Sequence, residues 1–249
     1  MKRTLSSIFS LLSLILVIPA LGQTKVKAKD SVPQRIDRYG FRIGVDAYRL
    51  GMGIWDKNYK GLEITADYRL TRTYYAVSEL GVEEKNTADD RLNFTAKGQY
   101  LKLGFDYNLY DNWLTMDNMM YIGMRYGISR FSNTVNSYKI YYPYPYFGEN
   151  NQIPGGESFS NVQAHWLEVV AGIKAEVLPR IYMGFSARLN YLVYQQNPDG
   201  FENLYIPGFN RTYGGKFGAG FTYTLSYLIP LYTKKGNHII KHANSKKSK

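Results

Sequence analysis

Leu101-Lys102-Leu103-Gly104-Phe105-Asp106-Tyr107-Asn108-Leu109 decides the fold class, because every second residue is apolar and those between are charged, small or polar. Successive side chains of a strand point to opposite faces, so this stretch has one apolar and one polar face. Seven other segments repeat the pattern, and strands are expected near 39–50, 60–70, 73–83, 99–109, 119–129, 165–177, 181–194 and 214–228. Tyr39, Phe41, Ile43 and Val45 form the apolar face of the first. Met120, Ile122, Met124 and Tyr126 form that of the fifth, and Phe217, Ala219, Phe221, Tyr223 and Leu225 that of the last.

The connections sort by parity. Short turns follow strands two, four and six, at Thr71-Arg72, Tyr110 to Asn118 and Leu178-Pro179-Arg180, while longer loops follow strands one, three, five and seven. Outer-membrane barrels show this asymmetry, with short periplasmic turns and long extracellular loops. A soluble sandwich or lipocalin-like barrel has no reason to sort its loops this way. The expected fold is all-β, an eight-stranded antiparallel up-and-down transmembrane β-barrel in the bacterial outer membrane with periplasmic termini.

Residues 1–22 read as a secretory signal peptide: Lys2 and Arg3 form a basic start, Leu11 to Ile18 an apolar core, and Ala20-Leu21-Gly22 a small-x-small cleavage site. Residues 23–38 are expected to be a basic periplasmic linker, 39–232 the barrel, and 233–249 a basic, disordered tail. The net charge of +11 divides along these boundaries into +2, +3, 0 and +6 respectively for signal, linker, barrel and tail. Both basic flanks are expected on one side of the membrane, where anionic headgroups or peptidoglycan would meet them, and nucleic acid is not an expected partner. Cysteine is absent, which excludes disulfides, a thiol nucleophile and a lipoprotein anchor.

Taken together, the polar faces describe the interior. They carry Arg42, Arg69, Lys102, Arg125, Lys174, Arg188 and Lys216 against Asp46, Glu63, Asp67, Glu79, Glu83, Asp106, Glu168 and Glu176, interleaved with glycines such as Gly104, Gly123, Gly127 and Gly184. An eight-stranded barrel is only wide enough for its own side chains, so long charged residues need glycine opposite them and partners of opposite sign. A plugged, charge-paired lumen is expected, and an open porin is disfavoured. The 24 tyrosines suggest interfacial girdles. Tyr39, Tyr74, Tyr107, Tyr110, Trp113 and Tyr182 are assigned to the periplasmic side, and Tyr48, Tyr59, Tyr126, Trp166, Tyr191 and Tyr194 to the outer side.

At Asn203-Leu204-Tyr205-Ile206-Pro207-Gly208-Phe209-Asn210-Arg211-Thr212-Tyr213, with Ala164-His165-Trp166-Leu167-Glu168 and Leu103-Gly104-Phe105-Asp106-Tyr107, the chain resembles a Bacteroidota outer-membrane β-barrel family of unknown function. The resemblance spans essentially all of residues 38–232 and implies a Gram-negative outer-membrane protein without characterised chemistry. It departs from the usual bacterial pattern at Tyr232, where a closing aromatic residue is followed by a basic tail.

Little in the chain favours a reaction. His165 is the sole barrel histidine, since His238 and His242 lie in the tail. Its parity points it toward lipid, beside Ile128, Tyr191 and Val193 rather than a serine or an acid, which suits an interfacial structural histidine. No histidine cluster offers a metal site, and no cofactor is expected. The recognition candidate is the loop holding Tyr138, Tyr141, Tyr142, Tyr144 and Tyr146, stiffened by Pro143 and Pro145; such loops give large contact areas at low entropic cost. The second long loop, with Asn197-Pro198-Asp199-Gly200 and Pro207-Gly208, adds turns and a lid. The expectation is a non-enzymatic barrel with a structural or surface-recognition role, its partners being outer-membrane lipid, lipopolysaccharide and an extracellular glycan or protein. The competing classes are an outer-leaflet acyl hydrolase or transferase with His165 as base, and a small channel.

Overall fold

The computed structural model describes residues 36–89, 91–110, 117–139, 153–198, 203–211 and 215–235. Eight long strands dominate: β1 (Ile36–Asp46), β2 (Tyr59–Arg69), β3 (Tyr74–Ala88), β4 (Leu92–Asn108), β5 (Met119–Tyr138), β7 (Ser158–Leu178), β8 (Ile181–Gln195) and β11 (Phe217–Lys235). The order β4-β3-β2-β1-β11-β8-β7-β5 carries one further pairing, between β4 and β5, so every long strand has a neighbour on each side. All these pairings are antiparallel. Alternation builds the two faces: along β5, Met119 to Val135, odd residues are buried and even ones largely exposed. Leu103, Ile122, Ile173 and Leu189 are among the exposed apolar residues, whereas Lys102, Asp106, Glu168 and Glu63 are buried.

The expectation of eight strands is corrected in number. Three two-residue strands are added in the connections, β6 (Ile153–Pro154), β9 (Tyr205–Ile206) and β10 (Asn210–Arg211), giving eleven among the described residues. β6 extends the outer end of β5, and β9 pairs with β10. The long strands also outrun their expected limits, since β5 reaches Tyr138 and β7 begins at Ser158. The apolar pattern that betrays a strand stops at Ile128, yet the ladder to β4 and β7 continues with Arg130, Ser132 and Thr134 facing out. The connection between β3 and β4 shrinks to residues 89–91 for the same reason.

The first strand is shorter than expected, and the cause is Asp46. Its carboxylate accepts from the N–H groups of Tyr48 (2.9 Å) and Arg49 (3.4 Å), which starts helix α1 (Ala47–Trp55) where the strand was expected to run to residue 50. An aspartate at the N-cap satisfies amides that lack a partner in the first turn. Tyr39 departs from its expected lipid-facing position for a different reason. The β1–β11 ladder slips between Tyr39 and Gly40, where Leu231 is the extra residue on β11, and at this irregularity Tyr39 is buried and stacks on Tyr232 with ring centroids 5.0 Å apart.

Candidate functional site

The inner face of the sheet holds a continuous column of ion pairs. At its centre Lys102 lies 3.4 Å from Glu63, 3.5 Å from Glu79 and 3.3 Å from Glu168. Arg188 donates to Glu79 and to Glu168, and Arg125 reaches both Glu79 and Asp106. Toward the chain termini, Lys174 and Arg42 share Asp67, each at 2.7 Å. The column ends where Arg69 meets Asp37 and Asp117, and Arg38 meets Asp117 and Glu176. The structure thus brings together Arg42, Asp46, Glu63, Asp67, Arg69, Glu79, Lys102, Asp106, Arg125, Glu168, Lys174, Glu176 and Arg188. Lys216 does not join them: it is exposed just before β11 begins.

These charges come from six or more strands, and the glycines make room for them. Gly127 has no side chain because the Trp166 indole occupies that space, and the same indole donates to Glu168 at 2.7 Å. Buried charges persist when each has partners of opposite sign and hydrogen bonds for its remaining polar atoms. Near the terminal end of the column, a cavity bounded by Arg42, Asp67, Arg69 and Tyr182 has a volume of only about 10 Å³, roughly the room for one water.

At the opposite end, residues 203–211 of the connection between β8 and β11 turn into the interior. Ile206 and Phe209 are fully buried there, packed with Tyr100, Phe131, Val162, Ala164, Trp166 and Leu192. Glu83 ties this plug down: it accepts from the Tyr205 hydroxyl (2.6 Å), the Gly208 amide (2.8 Å) and the Arg49 guanidinium (2.6 Å). Gly208 has φ of +84°, and a Cβ there would lie 2.5 Å from the Tyr100 ring. Asn203 is held by Asn133 and by the Gln196 carbonyl. Burial pushes the Tyr205 phenol pKa well above the usual value, and the neighbouring Glu83 carboxylate adds to it, so Tyr205 remains a donor.

Several of these residues were missed or misplaced at the level of sequence. Arg49 would face lipid if the strand continued; its signal was the aspartate cap at Asp46, masked by Gly51 and Gly53. Tyr59, Trp166 and Tyr182, assigned to girdles, are buried inside, since each falls on the inward parity of its strand. Tyr48, Tyr74, Tyr107, Tyr110, Tyr126, Tyr191 and Tyr194 are exposed, and Trp113 lies outside the described residues.

His165 occupies the outer face, its Nδ1 3.1 Å from the Tyr126 hydroxyl and its ring near Tyr126 and Tyr194. A slip in the β7–β8 ladder makes Tyr194 its cross-strand partner. Among the described residues no group of three His, Asp or Glu is arranged to hold a metal. Of the Tyr-rich loop, Tyr138 is exposed at the end of β5; Tyr141, Tyr142, Tyr144 and Tyr146 lie outside the described residues.

No curated protein matches this chain. Among solved structures, Ail, the attachment invasion locus protein of Yersinia pestis, is similar at 13% identity with a TM-score of 0.37, over 78% of this chain and 93% of that one. A family described as a domain of unknown function (DUF6048) matches residues 4–234, and the chain belongs to that family.

Proposed function

We propose that the eight long strands form a closed outer-membrane barrel that neither conducts nor catalyses, and that recognises ligands at its outer surface. One observation carries this reading: polarity inverts along the same strands. On β5 the outward residues Met120, Ile122, Met124, Tyr126 and Ile128 are exposed and apolar, while Arg125 is buried between them. Beyond Ile128 the outward residues become Arg130, Ser132 and Thr134, and the inward ones become Phe131 and Val135. β4 and β7 invert at the same level, with Gln99 and Gln163 outward and Tyr100 and Ala164 inward.

A soluble protein does not surround buried charges with a contiguous apolar outer belt. Apolar outside over a limited height, with an ordinary core above it, is the pattern of a barrel that leaves lipid for water partway along its strands. Met120 to Ile128 matches the roughly 9–11 residues of a tilted spanning strand. Ile36 pairs with Lys235 at the end bearing the short turns, which is periplasmic in this reading. The ion-pair column and the plug above it support a lumen closed twice. The Tyr-rich segment beginning at Tyr138 supplies the recognition surface for an extracellular glycan or protein, and lipopolysaccharide surrounds the belt.

The test is to refold the full chain into phospholipid vesicles. Heat-modifiable gel mobility, a β spectrum and no single-channel steps are expected, and deleting 138–147 is expected to abolish binding on a glycan array while mobility is retained. A monomer that stays soluble without detergent overturns the membrane reading, and steady conductance overturns the closed lumen.

A further inference from the structure

Across β2, β3, β4 and β5, three successive outward rows of the wall change character. The lowest is Ile64, Leu80, Leu101 and Ile128, cross-strand partners that are all exposed and apolar. The next is Leu62, Val82, Gln99 and Arg130, apolar on β2 and β3 and polar on β4 and β5. The third is Lys60, Glu84, Lys97 and Ser132. Within two rows the apolar belt gives way to two lysines and an arginine.

A groove of about 700 Å³ lies over the upper two rows, inside the roughly 300–1,000 Å³ range of small-molecule sites. Exposed Leu62 and Val82 form its apolar part, and Lys60, Lys97 and Arg130 reach it from three different strands. Glu83 also borders it, but its carboxylate is engaged by Arg49, Tyr205 and the Gly208 amide on the inner side, so Glu84 is the one acid of the groove that faces outward. Glu84 lies 3.1 Å from Lys97, whose side chain is still 70% exposed. An exposed pair of this kind contributes little, and a single carboxylate leaves an excess of positive charge among three cations. Arg130 is in addition held in place. Between Phe131–Val162 and Asn133–Phe159 the β5–β7 ladder has one residue on β5 and two on β7, Ser160 and Asn161. This bulge re-aims a side chain. Asn161 takes φ of +61°, which asparagine tolerates, and its Oδ1 accepts from Arg130 Nη2 at 3.0 Å. A neutral acceptor positions the guanidinium without cancelling its charge, and the planar fork keeps donors for a phosphate.

We propose that this outward groove binds the phosphate of an anionic outer-leaflet lipid headgroup, with Lys60, Lys97 and Arg130 as its cationic contacts. This rests on the membrane reading above and turns the lipid around the belt into a specific site. Charge complementarity selects an anion, and the level selects a lipid. The cations stand within two rows of the last fully apolar one, at the height where headgroups meet a barrel wall. The acyl chains then run down over Ile64 and Leu80, where each strand is paired on both sides.

The full chain is refolded in detergent micelles containing equal amounts of phosphatidic acid and phosphatidylcholine, and bound lipid is counted by native mass spectrometry. Phosphatidic acid adducts are expected to outnumber phosphatidylcholine adducts roughly tenfold, as a preference of about 1.4 kcal/mol gives. Lys60→Gln with Arg130→Gln is expected to bring the ratio close to parity with heat-modifiable mobility unchanged. Lys216→Gln with Lys234→Gln removes as much charge from exposed positions at β11, outside the groove, and is expected to leave the ratio as it is. Parity in the wild-type chain, or an equal fall in both double variants, overturns the site, because net charge alone then attracts the lipid. Displacement of the lipid by an equimolar amount of inorganic phosphate also overturns it, since the groove then reads a free anion. Absence of heat-modifiable mobility in the wild-type chain is the distinct result in which the membrane reading itself fails.

Discussion

Arg188 grips Glu79 with both terminal nitrogens, at 2.5 Å and 3.2 Å, across a sequence separation of 109 residues, and one of the same nitrogens also reaches Glu168 at 3.2 Å. The pair joins β8 to β3, strands that are not neighbours in the sheet, so the contact crosses the interior rather than running along the wall. Glu79 also meets Lys102 and Arg125, which makes it the carboxylate on which three cations converge.

Glu79→Gln is therefore expected to cost about 3–5 kcal/mol, the range for removing one member of a buried ion pair. Replacing both members with apolar residues, Glu79→Leu with Arg188→Met, is expected to cost less than the single change. Urea unfolding in vesicles, followed by gel mobility, measures both. A double variant weaker than Glu79→Gln would mean that packing around the pair, not its charge balance, dominates.

The packing of the segment 203–209 depends on Gly208. Its φ of +84° and the adjacent Tyr100 ring both oppose a side chain, so Gly208→Val combines roughly 1–3 kcal/mol of backbone strain with a steric clash. The expected result is release of the segment 203–209, detected as faster amide exchange at Ile206 and Phe209, with no channel opening because the ion-pair column still fills the middle. Conductance steps in this variant would show that the plug alone closes the lumen.

The half of each strand with apolar residues outward was readable because an apolar outer face and a charged inner face impose a strict period of two, as in Leu101 to Leu109. Above Ile128 the signal fails for a physical reason. There polar residues point outward and Phe131 and Asn133 inward, so Arg130, Phe131, Ser132 and Asn133 read as a mixed loop although the ladder continues through them. The charge column was readable as a set, since parity alone selects Arg42, Glu63, Glu79, Lys102 and Arg188. Which acid meets which base was not, because partners such as Glu79 and Arg188 are fixed by the curvature of the whole sheet. Arg49 was lost at a single residue, Asp46, where a side-chain oxygen capping two amides turned strand into helix.

The turn between α1 and β2 carries a testable titration. A hydrogen bond from Lys85 Nζ at 2.8 Å, supplemented by the Asn58 amide, holds the Asp56 carboxyl below its usual pKa. A depressed folded-state value means that the contribution is fully present above the unfolded pKa of about 3.9 and is lost as pH falls through the lower folded value. The carboxyl carbon resonance of Asp56 in micelles is expected to be flat from pH 8 to about 5 and to titrate with a midpoint under 3.9. Lys85→Met should move that midpoint upward; an unchanged midpoint would remove Lys85 as the cause.

His165 separates the structural reading from a lipid-modifying one. Its Nδ1 faces the Tyr126 hydroxyl and its ring lies near Tyr194, an arrangement suited to an interfacial aromatic cluster. His165→Phe keeps the ring and removes the base. Unchanged lipid A profiles by mass spectrometry are expected, with a stability change within about 1 kcal/mol, the scale of a single exposed hydrogen bond or aromatic contact. A lipid species that disappears in the variant and returns with the wild-type chain would assign His165 a reaction.

Asp46 does two jobs that substitution can separate: it caps α1 through Tyr48 and Arg49, and its other oxygen lies 3.3 Å from the Arg49 guanidinium. Asparagine keeps an acceptor for the cap and removes the charge, whereas alanine removes both. Losing the cap alone costs about 1 kcal/mol. Arg49 retains Glu63 and Glu83 in either variant, so the charge loss is shared among the remaining carboxylates. The expected stability order is wild type, then Asp46→Asn, then Asp46→Ala, with the helical contribution to the far-ultraviolet spectrum reduced only in the alanine variant. If asparagine is as damaging as alanine, the ion pair to Arg49 holds α1 in the wall, and the cap is incidental.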